Sequence, residues 1–313
     1  MSSEGFLMAE GKIAPIGLIG TITHDVITYA SGQSFRGLGG VLYQAAVLCG
    51  LGKEVYMYTN CGQELIIGVK RLTRSWSTLH REGVCSVPGP GNYVFLHYPE
   101  KGERVEILES CVPPLNPDRM VKDLPQLGML LLIMNSGFDI ELRDWRRIVH
   151  HSSCPIWFDV HSLPLARILG SPRSYLPLTQ WKEWASGVDY LQANRKEVAS
   201  MLSLSQEIPS KSQMVNFAHQ AFSIGIRALF ITLSEEGALV LTPEVSEKIT
   251  SPRLGEIVDT TGCGDVFCAA TVAKLIGGTS PFEAASYGIL LASKQAQLSG
   301  VNQTYALALR QES

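Results

Sequence analysis

The residues best suited to chemistry form one short stretch, Asp259-Thr260-Thr261-Gly262-Cys263-Gly264-Asp265. A strand-like run, residues 256–258, leads into it, and the pattern VFCAATVAKL that follows is typical of a helix. The first backbone N–H groups of a helix lack intrahelical acceptors and lie at the positive end of its dipole. Because Gly262 and Gly264 have no Cβ, a phosphate oxygen can approach their amides closely. The stretch therefore indicates an anion site at the start of a helix.

Asp265 lies where this helix begins, and its carboxylate can serve as a cap of the helix or as a base. An anion site with a base beside it suggests phosphoryl transfer to a hydroxyl group. The alternative is an ordinary strand-to-helix turn, in which the glycines only shape the chain and Asp265 only caps the helix. The string alone leaves both interpretations open.

Length and composition limit the class of protein. The 313-residue chain can bury a large core, and its 45% hydrophobic and 18% charged residues are typical of a globular protein. A net charge of −3 gives no overall attraction to nucleic acid or anionic membranes. Seven scattered cysteines without C-x-x-C argue against a disulfide framework or a structural zinc site. Residues 1–11 lack signal-peptide features, and the apolar run 129–134 is too short to span a bilayer. We expect a cytoplasmic protein with neither a nucleic-acid nor a membrane partner.

Short apolar strands alternate with helical patterns along most of the chain. This rhythm favours an α/β fold with a doubly wound, mainly parallel sheet flanked by helices. The predicted strands are residues 13–20, 54–60, 129–134, 156–159, 190–193 and 228–233. The last predicted helix begins with Ser280-Pro281-Phe282-Glu283, a capping box with proline at the first helical position. We expect a single domain over residues 1–313.

A group of shorter predicted strands interrupts this alternation of strands and helices. We predict that it forms a small β lid, built from about residues 26–38 and 84–112. Its pieces are the strands 85–87, 92–98 and 103–108, and a polar run 28–36 ahead of a glycine hinge at 37–40. The alternative is that these strands extend the main sheet.

Alternation along the predicted strand 92–98 gives the lid hairpin two faces. Tyr93, Phe95 and His97 share one face, and Val94, Leu96 and Tyr98 share the other. Because both sets are largely apolar, we expect cover on both sides, from substrate or from another subunit.

Polar residues near predicted strand ends are candidate ligand contacts, since ligands bind there in open α/β sheets. Asp25 follows the first strand, Gly39-Gly40 precede a helix and Asn135 ends a central strand; each is a substrate contact or a loop residue. Asn194 and Glu197, three residues apart at a helix start, lie on one side of its first turn. Their oxygens suit Mg²⁺, usually through water, but the same spacing also forms a capping box.

The stretch 259–265 resembles the DTxGAGD signature of the ribokinase-like (PfkB) carbohydrate kinases, with Cys263 where alanine is usual. Further family-like motifs extend the resemblance from about residue 13 to residue 300. It implies the ribokinase-like fold and ATP-dependent transfer of the γ-phosphate to a hydroxyl of a sugar, a sugar-like polyol or a nucleoside. It also implies the amides of Gly262, Cys263 and Gly264 as an anion hole and Asp265 as the general base.

The resemblance gives roles to the polar residues at strand ends. Asp25 matches an aspartate that hydrogen-bonds substrate hydroxyls, and Gly39-Gly40 match the GG of GGxxxN, with Gln44 where asparagine is common. Asn194 and Glu197 match NxxE, which organises Mg²⁺ and the phosphates.

The resemblance also implies nucleotide and cation contacts. Thr232, Ser234 and Gly237 lie in a segment similar to the T-x-G-x-x-G strand–turn–strand that holds nucleotide, with Ser234 replacing the first glycine. Some members of the family hold a monovalent cation such as K⁺, for which Asp259 and Thr261 are the candidates. A homodimer formed through the lid is a further expectation.

Two departures from the family pattern bear on specificity and reactivity. His161 and Leu163 replace residues of the family's D-x-N-x-R, and His161 is either a structural or a specificity residue. The thiol of Cys263 lies beside a helix N-terminus, so we expect its pKa to be lowered.

Two other classes of function remain. A family member without catalysis, acting as a ligand-binding or scaffold protein, would be consistent with the departures at Gln44, Leu163 and Cys263, although Asp265 is present. A dinucleotide-dependent oxidoreductase on a similar sheet ranks last, because no G-x-G-x-x-G follows the first strand.

Overall fold

The computed structural model describes residues 14–100, 104–204 and 208–311. Residues 1–11, and the end residues 13 and 103 of two predicted strands, lie outside this part of the chain. The described strands form a large central sheet covered by helices and a smaller sheet, here called the lid. No helix within the described ranges is long and apolar enough to cross a membrane.

The helices and strands alternate along most of the chain, as predicted. The strands are β1 (Ile16–Ile19), β2 (Ile22–Tyr29), β3 (Ser34–Gly40), β4 (Val55–Gly62), β5 (Leu79–His80), β6 (Val84–Val87), β7 (Asn92–Tyr98), β8 (Val105–Ser110), β9 (Met129–Ile133), β10 (Ile156–Asp159), β11 (Tyr190–Asn194), β12 (Ala228–Thr232), β13 (Ala238–Leu241) and β14 (Ser246–Ile249). The helices are α1 (Leu42–Gly50), α2 (Ile66–Leu72), α3 (Leu142–His151), α4 (Trp181–Ala185), α5 (Arg195–Met201), α6 (Lys211–Ser223), α7 (Cys263–Leu275), α8 (Pro281–Gln295) and α9 (Val301–Leu309).

The central sheet has the order β14-β13-β12-β11-β10-β9-β1-β4-β5, with β6 also paired to β4. All neighbours from β12 to β5 are parallel, and β13 and β14 add an antiparallel edge. The strand β9 is buried along its whole length. Such a continuous apolar run needs cover on both faces of the sheet. The predicted α/β class, with a doubly wound and mainly parallel sheet, is confirmed.

Two apolar clusters provide that cover. Leu131 belongs to one cluster, with α1, α7, α8 and α9, whereas Leu130 and Leu132 belong to the other, with α3 to α6. Neighbouring residues of a strand point to opposite faces, so the two sets of helices lie on opposite sides of the sheet. The helices α1 and α7 therefore share one layer, which brings Gly40 and Gly262 to the same side.

The start of α8 follows the predicted pattern in part, because Glu283 Oε2 accepts the hydroxyl of Ser280 and not its N–H, which leaves the capping box one-sided. Ser280 is the N-cap, its hydroxyl accepts the N–H of Glu283 at 3.3 Å, and Pro281 occupies the first helical position. This helix is not the last of the described chain, because α9 follows it.

The lid has the order β3-β2-β7-β8. The hairpin of β7 and β8 is present as predicted, with Val94 opposite Leu108. The run 28–36 is not one strand: it covers the end of β2, a turn and the start of β3. The residues expected as a hinge, 37–40, continue β3 and pair with β2.

One predicted lid strand belongs elsewhere. Residues 85–87 lie in β6, which pairs in parallel with β4, with Asn60 opposite Cys85. The prediction failed because a short polar strand can still extend the edge of a parallel sheet when its backbone finds a partner there.

The two faces of the lid differ in burial. Ile27, Val94, Leu96 and Leu108 are buried together on the inner face. Phe95, on the outer face, is 40% exposed. Within the described residues the chain itself covers the inner face, and the expected cover of the outer face would have to come from another molecule.

We predict that a second copy of the chain covers the outer face of the lid. Phe95→Asp places a charge on that face and should lower the mass in solution from dimer to monomer, measured by light scattering. Ile67→Asp, at a side chain 69% exposed on α2, is the matched control and should leave the mass unchanged. A monomeric wild type, or an unchanged mass for Phe95→Asp, would contradict the lid-mediated dimer.

Candidate active site

The first turn of α7 has the backbone geometry of an anion site. Gly262 is the N-cap, and its φ of +80° lies in the left-handed region that favours glycine. A Cβ on Gly262 would lie 2.6 Å from the ring of Tyr43, so a larger residue does not fit. Gly264 is exposed, and a Cβ there would meet open space. Its N–H lies in the first helical turn, which offers no intrahelical acceptor, and is therefore accessible to an anion.

The segment in front of this turn is not a strand. Residues 256–258 form an exposed loop, and Ile257 is 62% exposed. The N–H groups of Val258 and Asp259 both donate to the carbonyl of Ala296 instead of to a neighbouring strand. The prediction failed because β-branched residues favour an extended chain but do not supply the neighbour that makes a strand.

Cys263 departs from expectation in two ways. Its N–H donates to the carbonyl of Thr260 at 3.2 Å, so this amide is already engaged. Burial raises the pKa of its thiol to about 12, and the carboxylates of Asp259 and Asp265 act in the same direction. The expected lowering of the pKa is wrong, because burial and these two carboxylates outweigh the helix dipole.

The carboxyl of Asp265 is buried in the first turn of α7. The residue is 7% exposed, and Gln44 Nε2 on α1 donates to Asp265 Oδ1 at 2.5 Å. Burial raises the pKa of Asp265 to about 7; the hydrogen bond from Gln44 opposes this shift and the nearby Asp25 adds to it. Gln44, an expected acceptor contact, thus holds the candidate base. A carboxyl that titrates near neutral pH is suited to general-base chemistry.

Asp25 faces the same region from the lid. It lies within β2, opposite Gly37 of β3, so it is a strand residue and not a loop residue. A Cβ on Gly39 would overlap Asp25 Oδ2, so the glycine makes room for the carboxylate. Burial raises the pKa of Asp25 to about 7, against the opposing effect of the nearby Thr23. Gly40 follows with φ +61° and leads the chain into α1.

Two further carboxyl groups lie close to Asp265. Asp159 ends β10, Glu197 belongs to α5, and both are buried. Burial raises the pKa of each group, and the charge of Asp265 raises both further. Gln192 Nε2 donates to Asp159 Oδ2 at 3.0 Å and to the carbonyl of Gly264 at 3.2 Å, joining β11 to the first turn of α7.

These carboxyl groups carry no compensating ion pair. Within the described part of the chain, no Lys, Arg or His forms a salt bridge with Asp159, Glu197 or Asp265. Clustered oxygen ligands without a cationic partner suit a hard divalent cation. Over the same residues, no three His, Cys, Asp or Glu side chains are arranged to hold a metal ion by themselves. The site therefore fits a cation that keeps most of its water or shares ligands with a substrate.

Asn194 and Glu197 form the capping box of α5. The side-chain oxygen of Asn194 accepts the N–H groups of Lys196 and Glu197, and Glu197 Oε2 accepts the N–H of Asn194 at 2.7 Å. The capping interpretation is thus observed in the structure. Because these bonds occupy the oxygens that would bind a metal ion directly, the pair fits contacts made through water.

The candidate nucleotide contacts form the predicted strand–turn–strand. The strands β12 and β13 are antiparallel, with Thr232 opposite Ala238. Ser234 has φ +55°, so serine adopts the left-handed conformation at the position where the family has glycine. Gly237 has φ +102°, and a Cβ there would overlap the carbonyl oxygen of Ile249.

Asp259 connects the lid to the turn that precedes α7. Its Oδ1 accepts the N–H of Thr261 at 2.8 Å and the hydroxyl of Tyr29 at 3.0 Å, and its Oδ2 accepts the hydroxyl of Ser299 at 3.1 Å. Tyr98 hydrogen-bonds the hydroxyl of Thr261 at 3.3 Å. The sequence did not single out these tyrosines, since alternation assigns a strand residue to a face but not to a partner.

Asn135 begins a turn that is organised by Asp139, which the sequence reasoning missed. Asp139 Oδ2 accepts the N–H groups of Ser136 and Gly137, and its Oδ1 accepts the N–H and hydroxyl of Thr21. Burial raises the pKa of Asp139, and these hydrogen bonds oppose the shift. An aspartate two residues after a turn glycine is the signal that could have found it.

His161 is held by its immediate neighbour. It has φ +41°, and its Nδ1 is hydrogen-bonded to the hydroxyl of Ser162 at 2.9 Å. Burial lowers the pKa of His161 to about 4, so the imidazole is neutral at neutral pH.

A cavity of about 230 Å³ lies between the lid and the loop that carries Asp259. Its walls include the carboxylates of Asp25 and Asp259, the polar side chains of Arg36 and Gln303, and the ring of Phe35. The structure thus brings Asp25 to a cavity on the inner side of the lid.

The geometry agrees with what comparisons with known proteins find. Residues 168–306 match a family model described as pfkB family carbohydrate kinase. A comparison with functionally curated proteins gives no match.

Solved structures share the fold over almost the whole chain. A ribokinase from Arabidopsis thaliana, complexed with ribose and ATP, has a TM-score of 0.72 at 16% identity, covering 95% of this chain and 98% of that chain. A nucleoside kinase from Burkholderia thailandensis, in complex with inosine, has a TM-score of 0.72 at 19% identity and 93% coverage of both chains. A pyrophosphate-dependent kinase of the ribokinase family has a TM-score of 0.77 at 15% identity, covering 91% of this chain and 96% of that chain.

The sheet and the lid have the ribokinase-like α/β fold of these structures. The resemblance to the PfkB carbohydrate kinase family, predicted from residues 259–265, is confirmed by the family match over residues 168–306.

The raised pKa of Asp265 makes stability depend on pH. Its folded-state value of about 7 exceeds the ordinary 3.8, so the folded protein holds this proton more tightly than the unfolded chain. The resulting stabilisation is present below about pH 4 and is lost as the pH rises to about 7, at up to about 1.4 kcal/mol per pH unit. Asp265→Asn cannot ionise and can still accept from Gln44, so we expect it to exceed the wild type in stability at pH 8 but not at pH 4.

Urea denaturation at the two pH values measures this difference. The exposed Glu244→Gln is the control and should track the wild type at both. An Asp265→Asn protein that loses as much stability between pH 4 and pH 8 as the wild type would contradict the raised pKa.

Proposed function

We propose that the protein is an ATP-dependent kinase that transfers the γ-phosphate to a hydroxyl of a sugar, a sugar-like polyol or a nucleoside. The observation that carries this proposal is the position of Asp265. Its buried carboxyl lies in the first turn of α7, beside the exposed amide of Gly264, and its pKa is about 7. A base and an anion-binding amide on one helical turn supply the two functions that phosphoryl transfer to a hydroxyl needs.

In the proposed reaction Asp265 takes the proton of the acceptor hydroxyl while the hydroxyl oxygen attacks the γ-phosphorus. The bond between the γ-phosphorus and the bridging oxygen breaks, and ADP leaves with that oxygen. The amide of Gly264 and the dipole of α7 stabilise the negative charge on the transferring group. Gly262 remains part of this anion hole, whereas the amide of Cys263 is engaged with Thr260.

Bound Mg²⁺ would neutralise charge on the phosphate oxygens. The carboxyl groups of Asp159 and Glu197 supply the negative surroundings that such a cation needs, and Asn194 and Glu197 would contact its water molecules. Asp259 and Thr261 are the candidates for holding a monovalent cation such as K⁺. Their oxygens would then contact the cation instead of the tyrosine hydroxyls of the lid.

The acceptor would lie between the lid and the main sheet. Asp25 would accept hydrogen bonds from its hydroxyls, Asn135 and Gly40 would border it, and closure of the lid would exclude water from the transferring group. The turn of Ser234 and Gly237 would hold the nucleotide.

Acceptor-dependent release of ADP from ATP tests the proposal, with D-ribose, myo-inositol and inosine as acceptors. Turnover with D-ribose or myo-inositol would support a carbohydrate kinase, and turnover with inosine alone would support a nucleoside kinase. Binding of a compound without turnover would support the catalytically silent alternative.

Asp265→Asn should keep the fold and most of the affinity for ATP but lower kcat by roughly 10²–10⁴-fold, the usual loss on removing a general base. For the wild type, the rate should rise with pH up to about pH 7, where Asp265 loses its proton. Cys263→Ala introduces the residue usual in the family and is the control, which should remain active. Near-normal turnover by folded Asp265→Asn would disprove its role as the base.

Glu197→Gln should raise the Mg²⁺ concentration needed for half-maximal rate, because a charge near the cation is lost. Gln can still accept the N–H of Asn194, so the cap of α5 should persist. Ser210→Ala removes the N-cap of α6 and should lower thermal stability without moving the Mg²⁺ titration. If Glu197→Gln behaves like Ser210→Ala, Glu197 only caps its helix.

A further inference from the structure

Arg173 links the lid to the main sheet and has no role in the mechanism proposed above. It lies in the loop between β10 and α4 and is 8% exposed. Its N–H donates to the carbonyl of Glu106 in β8 at 2.9 Å, and its Nη1 donates to Glu106 Oε1 at 3.1 Å. Its Nε donates to the carbonyl of Ala166 at 2.9 Å. These bonds fix the plane of the guanidinium group, because its donors form a rigid fork.

The remaining nitrogen, Nη2, is buried and has no hydrogen-bond partner among the described residues. It lies 3.1 Å from the position that a Cβ on Gly137 would occupy, so it points toward the turn that follows β9. On the same turn Asn135 Oδ1 is also buried and without a partner in the described chain. Leaving buried donors and acceptors unpaired is costly, and such groups in native proteins call for an explanation.

An open donor at this turn suits a hydroxyl oxygen, which can accept its hydrogen bond. The predicted acceptor contacts lie nearby: Asn135 is one of them, and Asp25 is close enough to Glu106 for each charge to act on the other. The guanidinium therefore lies near two of the predicted acceptor contacts.

The charges around Arg173 favour a neutral ligand. Glu106 already pairs with the guanidinium, and Asp139 lies on the turn that Nη2 faces. A carboxylate or phosphate group placed here would meet the three carboxyl groups of Asp25, Glu106 and Asp139 against two arginines, Arg173 and Arg104, both of which already pair with Glu106. A hydroxyl can accept from Nη2 without adding negative charge.

We propose that Arg173 is a specificity residue for the acceptor, and that its Nη2–H donates to a hydroxyl oxygen of a neutral acceptor. This inference rests on the proposed function and narrows its substrate class to uncharged compounds with several hydroxyls, excluding sugar acids and sugar phosphates. Because Nη1 stays bound to Glu106 of β8, the same side chain connects the acceptor to the lid.

Arg173→Lys tests the inference, since it keeps a positive charge near Glu106 and removes Nη2. The probes are D-ribose, myo-inositol and inosine, measured by calorimetric binding without nucleotide and, where turnover occurs, by acceptor KM. We expect affinity for the bound probe to fall on the order of tenfold, as for loss of one charged hydrogen bond, with the KM for ATP unchanged. Arg167→Lys, on the same loop and in an exposed pair with Glu141, is the control and should change neither.

Glu106→Gln distinguishes a role of Arg173 in acceptor specificity from a role in stability. It weakens the ion pair between Arg173 and Glu106 but leaves Arg173 Nη2 in place. It should lower thermal stability with little effect on which probe binds. If Arg173→Lys likewise changes only thermal stability, Arg173 only holds the lid to the main sheet and the inference is wrong.

A comparison with deoxy analogues identifies the contacted hydroxyl. When D-ribose is the bound probe, 2-deoxy-D-ribose and 5-deoxy-D-ribose are compared with it; deoxyinositols and deoxyinosines serve for the other probes. Removing the contacted hydroxyl should weaken binding to the wild type but not to Arg173→Lys. If every analogue affects the two proteins equally, the inference is overturned.

The binding of charged ligands and the turnover of the neutral probes provide the remaining tests. Tighter binding of D-gluconate or D-ribose 5-phosphate than of the neutral probes would overturn the neutral class, as would a wild type that binds none of the neutral probes. Arg173-dependent binding without phosphorylation would support the inference while refuting the proposed kinase activity. Phosphorylation with an acceptor KM unaffected by Arg173→Lys would support the kinase activity and refute the inference.

Discussion

The hydrogen bond from Gln44 to the buried carboxyl of Asp265 is the contact on which the site depends. Burying an ionisable carboxyl is unfavourable for its charged form, and here the pKa rises to about 7. Gln44 and the dipole of α7 offset part of this penalty. The contact requires α1 and α7 to pack in one layer, and it requires Gly262 to turn the chain where the ring of Tyr43 leaves no room for a Cβ. Packing, backbone geometry and acid–base chemistry are therefore fixed by the same few residues.

The lid belongs to this arrangement because its polar groups contact the same turn. Tyr29 and Tyr98 hydrogen-bond Asp259 and Thr261, just ahead of α7. Asp25, on the inner face of the lid, is close enough to Asp265 to raise its pKa. A movement of the lid would thus change both access to the acceptor site and the electrostatic surroundings of the candidate base. In the proposed reaction, this coupling would make the chemistry depend on closure of the lid.

The departures from the family pattern have local explanations. Ser234 adopts a positive φ at the position where the family pattern has glycine, and Cys263, whose amide donates to Thr260, begins α7 with a geometry that does not need alanine. Gln44 is long enough to reach Asp265 from α1. None of these replacements removes a group that the proposed reaction requires, which favours an active enzyme over a silent relative.

Several features were predictable because their causes lie close together in the sequence. The apolar run of β9 indicates a strand buried on both faces, and the Gly262-to-Asp265 string indicates the start of a helix. The hairpin of β7 and β8 follows from alternation and a turn. In each case neighbouring residues determine the backbone conformation. The spacing of the apolar residues and the residue types in the turns indicate that conformation directly.

The tertiary structure decided which groups meet. It placed β6 on the central sheet, Asp25 inside a lid strand and residues 256–258 in a loop that bonds to Ala296. It also brought Arg173 to Glu106, 67 positions away in the chain. Such pairs depend on the register and packing of distant elements. Burial, too, is a property of the whole folded chain, and it sets the pKa of Asp265 and Cys263. The sequence by itself therefore determined most of the strands and helices and the glycine turn at α7, whereas only the packing of helices, sheet and lid decided the partners and protonation of the residues around that turn.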